Sequence, residues 1–235
     1  MTRQPAQMPS GKLSDPPGAP GDPVIQLKVR LLGISPMIWR RVLVAASTTL
    51  RELHGVLQVA MGWQGLHLFQ FCLRAARYGS QELSAYSPDV SLAALRLRTG
   101  SRFLYEYDLN VVWQHEIRID AYMEPAAGQT FPACVGGSGA CPPEDSGGPA
   151  RFMDRRDDLL LLDHREDLDT MVEILNQVFL EDPPQPLTDD MRGELEFALN
   201  RARARQQAQG RPFSRRQVNA SLHGGVYRDL MYQQC

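Results

Sequence analysis

The sequence predicts an α+β fold: a small, mostly antiparallel sheet with one packed helix, a long Cys-Pro-Gly loop, and a C-terminal helical extension. Three observations predict it. Between Val24 and Ile119, apolar residues recur at period two in several short runs, the pattern of strands with one buried face. A single segment with helical spacing, Thr49–Met61, interrupts those runs. After Asp163 the apolar spacing becomes helical and stays so.

The 235 residues are 43% hydrophobic and 22% charged, with a net charge of −2. That composition is ordinary for a globular chain with one good core plus appendages. It argues against global electrostatic attraction to nucleic acid or acidic membrane. No apolar run reaches transmembrane length and no apolar signal core opens the chain, so the expected location is cytoplasmic, with no membrane partner. Four cysteines in such a chain point to free thiols or a metal site before a disulfide framework.

Three regions are expected. Residues 1–23 are rich in Pro, Gly, Ser and Gln with no aromatic residue, the composition of a disordered tail. Residues 24–160 form the α+β domain, and 161–235 a helical C-terminal region. In the domain, Ile25, Leu27, Val29 and Leu31 alternate with polar residues in a first strand, Val24–Leu32. Gly33–Pro36 turns the chain into a second, Ile38–Val44, with Arg40 and Arg41 expected in solvent. Thr49 and Glu52 make a capping box for the helix. Leu50, Leu53, Leu57, Ala60 and Met61 form its apolar stripe, His54 lies near that stripe as a helix-surface or packing histidine, and Gly62 ends it. His67–Leu73 is the third strand, with Arg77–Gly79 as a hairpin or extension. Phe103–Tyr107 and Trp113–Ile119 form a hairpin. Helices are expected at Asp167–Leu180, Thr188–Ala208 and Ser214–Met231, the last opened by Ser214 with Gln217 as a second capping box.

Phe131–Gly148, FPACVGGSGACPPEDSGG, reads as neither helix nor strand. Its glycines and prolines make it a loop, and a loop this long is functional or disordered. Cys134, Cys141 and the rigid Pro142-Pro143 pair favour order. Phe131–Gly148 is expected to lie against the sheet near His67, His115 and Trp113.

With these residues laid out, the chain resembles the plasmid ORF-3-like family named for a root-inducing (Ri) plasmid, whose transposon-borne members are labelled TnpR-like. The stretches that carry the resemblance are VIQLKVRLLGISPMIWRRVLV, TLRELHGVLQVAMGW with His67 following, FLYEYD, WQHEI and FPACVGGSGACPPEDSGGP. They span residues 24–155. The resemblance implies an α+β fold and an accessory protein of a plasmid or mobile element. Two departures stand out. The family reads D-F-G-D-x-W where this chain has Asp108-Leu109-Asn110-Val111-Val112-Trp113, so Val111 replaces the second acid. The family also often has a second histidine where this chain has Phe69. No serine-recombinase pattern accompanies the TnpR-like label.

Three candidate sites follow. Cys134 and Cys141 with His67 and His115 would make a tetrahedral zinc set; the alternative is that all four are packing groups. From Arg192 to Arg228 there are eight arginines against two glutamates, a surplus of six positive charges. Arg201, Arg205, Arg215 and Arg216 could neutralise phosphates while Phe213 and Tyr227 stack on bases; the alternative is a solvated helix face. Trp113, Glu144 and Asp145 could bind a ligand, and paired carboxylates can do acid–base work, or they can cap loop N–H groups. The reading is a binding module of a mobile element, with nucleic acid or another protein of that element as partner. The other is a metal-dependent enzyme centred on the Cys-Pro-Pro-Glu-Asp loop.

Overall fold

The computed structural model describes residues 22–161 and 164–232. The expected disordered tail lies outside them but for its last two residues. The strands are β1 (Val24–Leu31), β2 (Trp39–Ala45), β3 (Phe69–Leu73), β4 (Ala76–Gly79), β5 (Arg102–Tyr107), β6 (Trp113–Met123) and β7 (Ala133–Ser138). They form one open sheet in the order β4-β3-β5-β6-β1-β2-β7, antiparallel at every pairing. The α+β expectation is therefore met, by a sheet larger than the four strands the periodicity guarantees.

Helix α1 (Leu50–Met61) has the expected capping box: Glu52 N–H donates to the Thr49 hydroxyl, and Thr49 N–H to the Glu52 carboxylate. Gly62 closes it in the left-handed conformation. Its Leu50, Leu53 and Leu57 join Ile25, Leu27 and Val29 of β1 and Phe69 and Phe71 of β3 in one core cluster. The remaining helices are α2 (Gly148–Leu161), α3 (His164–Phe179), α4 (Asp189–Ala208), α5 (Arg215–His223) and α6 (Val226–Leu230). Among the described residues, no helix is long and apolar enough to cross a membrane.

Four expectations are corrected. Within Phe131–Gly148, the stretch Ala133–Ser138 is a strand, β7, because β2 offers it an unpaired edge. Gly137, which reads as a turn former, is there for close approach: a Cβ on it would sit 2.7 Å from the Phe213 ring and 2.9 Å from the Arg40 side chain. The end of the same stretch begins a helix, α2, with Pro149 in its first turn, where a missing N–H costs nothing. Ser214–Met231 is two helices, broken at Gly224-Gly225. Arg40 is not solvated; it is 1% exposed.

Helices α5 and α6 turn back onto α1, and α5 also lies against β7. Gly55 of α1 makes room, since a Cβ there would overlap the Tyr227 carbonyl. Leu222 and Tyr227 thereby enter the core.

Candidate functional site

The second half of the Cys-Pro loop is fastened to the sheet by Glu144. Its carboxylate accepts from Gln64 N–H at 2.7 Å and Leu66 N–H at 3.1 Å. The Tyr107 hydroxyl donates to it as well. The Glu144 carbonyl accepts from the Trp113 indole at 3.2 Å, and the Pro142 carbonyl from the Trp63 indole at 2.9 Å. The loop therefore lies beside Trp113 as expected. The partners come from the segment after α1, from β5 and from β6, so the loop ties three parts of the domain together. Two backbone N–H groups and a hydroxyl are strong, charge-assisted donors. Burial, then the bond to Glu144, pushes the Tyr107 hydroxyl well above its ordinary pKa, so it stays a donor. Glu144 is a structural acceptor with little capacity left for a ligand. Trp113 is fully buried and offers no binding surface.

His67 lies at the rim of this staple. Its ring meets Asp145 at 3.3 Å and Asp108 at 3.8 Å. Asp108 is buried and Asp145 exposed. The two departures from the family pattern follow His67 and Asp108 closely in the chain. Phe69 stacks face to face on His54 at 3.8 Å, inside the core. Val111 lies against Gly148 at the start of α2.

The four proposed metal ligands do not assemble. Among the described residues, no group of three or more His, Cys, Asp or Glu is placed to hold a metal ion. His67 faces the two carboxylates. His115 is buried, with Nδ1 at 3.1 Å from the Trp113 carbonyl and its ring edge-on to Trp63. The Cys134 thiol donates to the Gly136 carbonyl at 3.4 Å. Burial pushes the Cys141 thiol up to about 12 and the Cys134 thiol up as well. Buried neutral thiols behave as small packing groups.

What those thiols do face is Arg40. Its guanidinium donates to the carbonyls of Ala60, Trp39 and Ser138 at 2.9 Å and of Gly139 at 3.2 Å. Phe213 lies over it with 4.3 Å to the ring centroid. Cys141 also exchanges two backbone hydrogen bonds with Arg211, at 2.9 and 2.7 Å. The loop is thus bound to the C-terminal segment at Cys141, and at Glu144 to the sheet and the segment after α1.

The core also holds a polar group that the sequence did not single out. His54 Nδ1 and the Gln58 amide both reach the Tyr105 hydroxyl at 2.7 Å. His54 Nε2, Gln58 Oε1 and His115 Nε2 have no protein partner. Burial lowers the His54 pKa to about 3, helped by the Arg51 charge, and that of His115 to about 4. Both rings are therefore neutral near pH 7.

The C-terminal arginines divide. Arg201 and Arg205 both contact Asp167 of α3, which is 1% exposed. They neutralise a buried acid and are not available to phosphates. Arg211, Arg215 and Arg216 are exposed. Phe213 and Tyr227 are used internally, over Arg40 and in the core.

The sequence pattern that frames this geometry is the one described for the plasmid pRiA4b ORF-3-like proteins, and that family's profile matches residues 23–184. The chain belongs to this family. It is 39% identical over 137 residues to the uncharacterized protein y4hQ of Sinorhizobium fredii, covering 56% of this chain and 70% of that protein. The crystal structure of MM3350, a protein of unknown function from Methanosarcina mazei Go1, is similar with a TM-score of 0.56 and 28% identity, over 62% of this chain and 86% of that one. None of these three descriptions carries the TnpR-like label.

Sequence reasoning missed Arg40, Tyr107 and the His54–Gln58–Tyr105 group. A signal for Arg40 was present: it shares parity with Ile38, Val42 and Val44, all buried. A charged residue on the inward parity of a strand is a buried-charge signal.

Proposed function

We propose that this protein is a nucleic-acid-binding accessory module of a plasmid or mobile element, and that the contact runs along the start of α5. One observation carries the reading. Arg211, Arg215 and Arg216 are exposed around the N-terminal end of α5, and α5, RRQVNASLH, contains no acidic residue. In α4, by contrast, Arg201 and Arg205 meet Asp167 and Arg192 meets Asp189. A cluster of exposed arginines without counter-charge favours a phosphate backbone.

Fluorescence anisotropy with short labelled DNA and RNA tests this. Binding should be clear at about 50 mM salt and fall steeply with added salt, because each phosphate contact releases a counterion. The double variant Arg215→Glu/Arg216→Glu should abolish it, while leaving the thermal transition in place because both side chains are exposed. Truncation of the C-terminal helices is the wrong test, since Leu222 and Tyr227 are part of the core. No binding to any DNA or RNA at low salt would remove this reading.

A further inference from the structure

Arg40 is the one buried guanidinium whose charge meets no carboxylate among the described residues. A guanidinium has five N–H donors, and its four bonds to carbonyls leave one Nη2 hydrogen over. The titratable groups beside it are Cys134 and Cys141, which burial keeps neutral. The positive charge is thus out of water and met by carbonyl dipoles and the face of the Phe213 ring but by no anion, an arrangement that a bound anion would complete.

A cavity of about 60 Å³ lies next to it, between the end of α1 and the start of α5. One buried water needs about 10–15 Å³ on this measure, so the space admits a group of several heavy atoms. Arg211 is its second cation: its guanidinium lies over Gly62, so close that a Cβ there would be 3.4 Å from Nη1. Ser214, the N-cap of α5, and Ser221 add hydroxyls and Gln217 its amide, and no acidic residue lines the cavity. A purely structural role explains part of this. Arg40 ties β2, β7 and the negative end of α1 together. That role accounts for the four carbonyl bonds. It does not account for a second arginine on the same small cavity, nor for a lining of donors without an acid.

We propose that this cavity seats one phosphate group, held between Arg40 and Arg211 with Ser214, Gln217 and Ser221 as neutral donors. The proposal rests on the nucleic-acid reading above for its source, a phosphodiester of the bound strand. Free phosphate and phosphomonoesters present the same oxygens.

The test uses the full chain and two probes. Inorganic phosphate is titrated by calorimetry at constant ionic strength, with chloride as the control salt. A short labelled oligonucleotide is followed by anisotropy, with and without saturating phosphate. Phosphate should bind saturably at one site, and Arg211→Ala should weaken it by about tenfold or more, the loss of one charge-assisted contact. Because the Arg211 side chain is exposed, that variant keeps the fold. Saturating phosphate should also weaken the oligonucleotide. No saturable phosphate binding, with the oligonucleotide still bound, overturns the seat and leaves the basic face standing. Phosphate binding unchanged in Arg211→Ala also overturns it. Phosphate bound in an Arg211-dependent way, with no oligonucleotide bound by the native chain, supports the seat for a free phosphate or monoester and sinks only the nucleic-acid source.

Discussion

The sheet domain and the α3–α4 pair are built from the same kind of sequence signal and end in opposite states. In α1 the burial goes beyond the apolar stripe, and 11 of the helix's 12 residues are buried. In α3 the residues that make an equally regular stripe are exposed: Leu168 by 59%, Val172 by 54%, Leu175 by 48% and Phe179 by 71%. Among the described residues of α3 and α4, the buried apolar side chains are Ile174 and Ala198. The polar residues are reversed too. The sheet domain buries the neutral polar groups His54, His115 and Gln58 with a polar atom unpartnered on each, whereas the helical pair buries a charged group, Asp167, met by Arg201 and Arg205. Periodicity makes a helix amphipathic, but burial depends on whether another element can reach that face. Helix α1 has the core cluster beneath it and α5 and α6 above. Among the described residues, the main partner of helix α3 is α4.

The sharpest way to separate the two regions is acid. The buried histidines both belong to the sheet domain, with pKa values lowered to about 3 and about 4 against about 6.5 in an unfolded chain. The unfolded state therefore binds more protons. Stability is full above about pH 6.5 and falls as the pH drops toward the folded values, by about 1.4 kcal/mol per unit for each histidine. Between pH 7 and pH 4 the loss should be on the order of 5 kcal/mol. Urea midpoints followed by tryptophan fluorescence read it, because Trp63 and Trp113 sit in that core. A flat profile from pH 7 to pH 5 would show that the histidines are not held neutral.

A smaller effect is expected from the loop staple. Glu144→Ala leaves two N–H groups and the Tyr107 hydroxyl without their acceptor, a loss on the order of 3 kcal/mol. Glu144→Gln keeps an acceptor oxygen and should lose about 1 kcal/mol. Chemical denaturation of both variants checks the order; equal losses would mean that the carboxylate is not acting as an acceptor. The smallest effect belongs to the other region. Phe179→Ser on α3 should change stability by less than about 0.5 kcal/mol, as for other exposed positions. Phe71→Ala in β3 should cost about 3–5 kcal/mol. A loss near 2 kcal/mol for Phe179→Ser would show that its face is covered in solution and would erase the contrast between the regions.

The sequence by itself determined what is local. The strands with one buried parity, the capping box of Thr49 and Glu52, and the helical spacing of α3 and α4 were all legible, because each depends on residues within a few positions. The nearness of the Cys-Pro loop to Trp113 and His67 was legible as well, from strand parity and chain continuity. Tertiary structure decided the rest. Ala133–Ser138 became a strand only because β2 had a free edge, and Gly137 was needed only because Phe213 and Arg40 come close to it. Glu144 found its donors 78 and 80 residues away and Tyr107 37 residues away, a pairing no spacing rule encodes. Arg201 and Arg205 looked like free charge until α3 brought Asp167 against them. Charge and hydrophobicity are properties of single residues, whereas desolvation and pairing belong to whatever the fold places beside them.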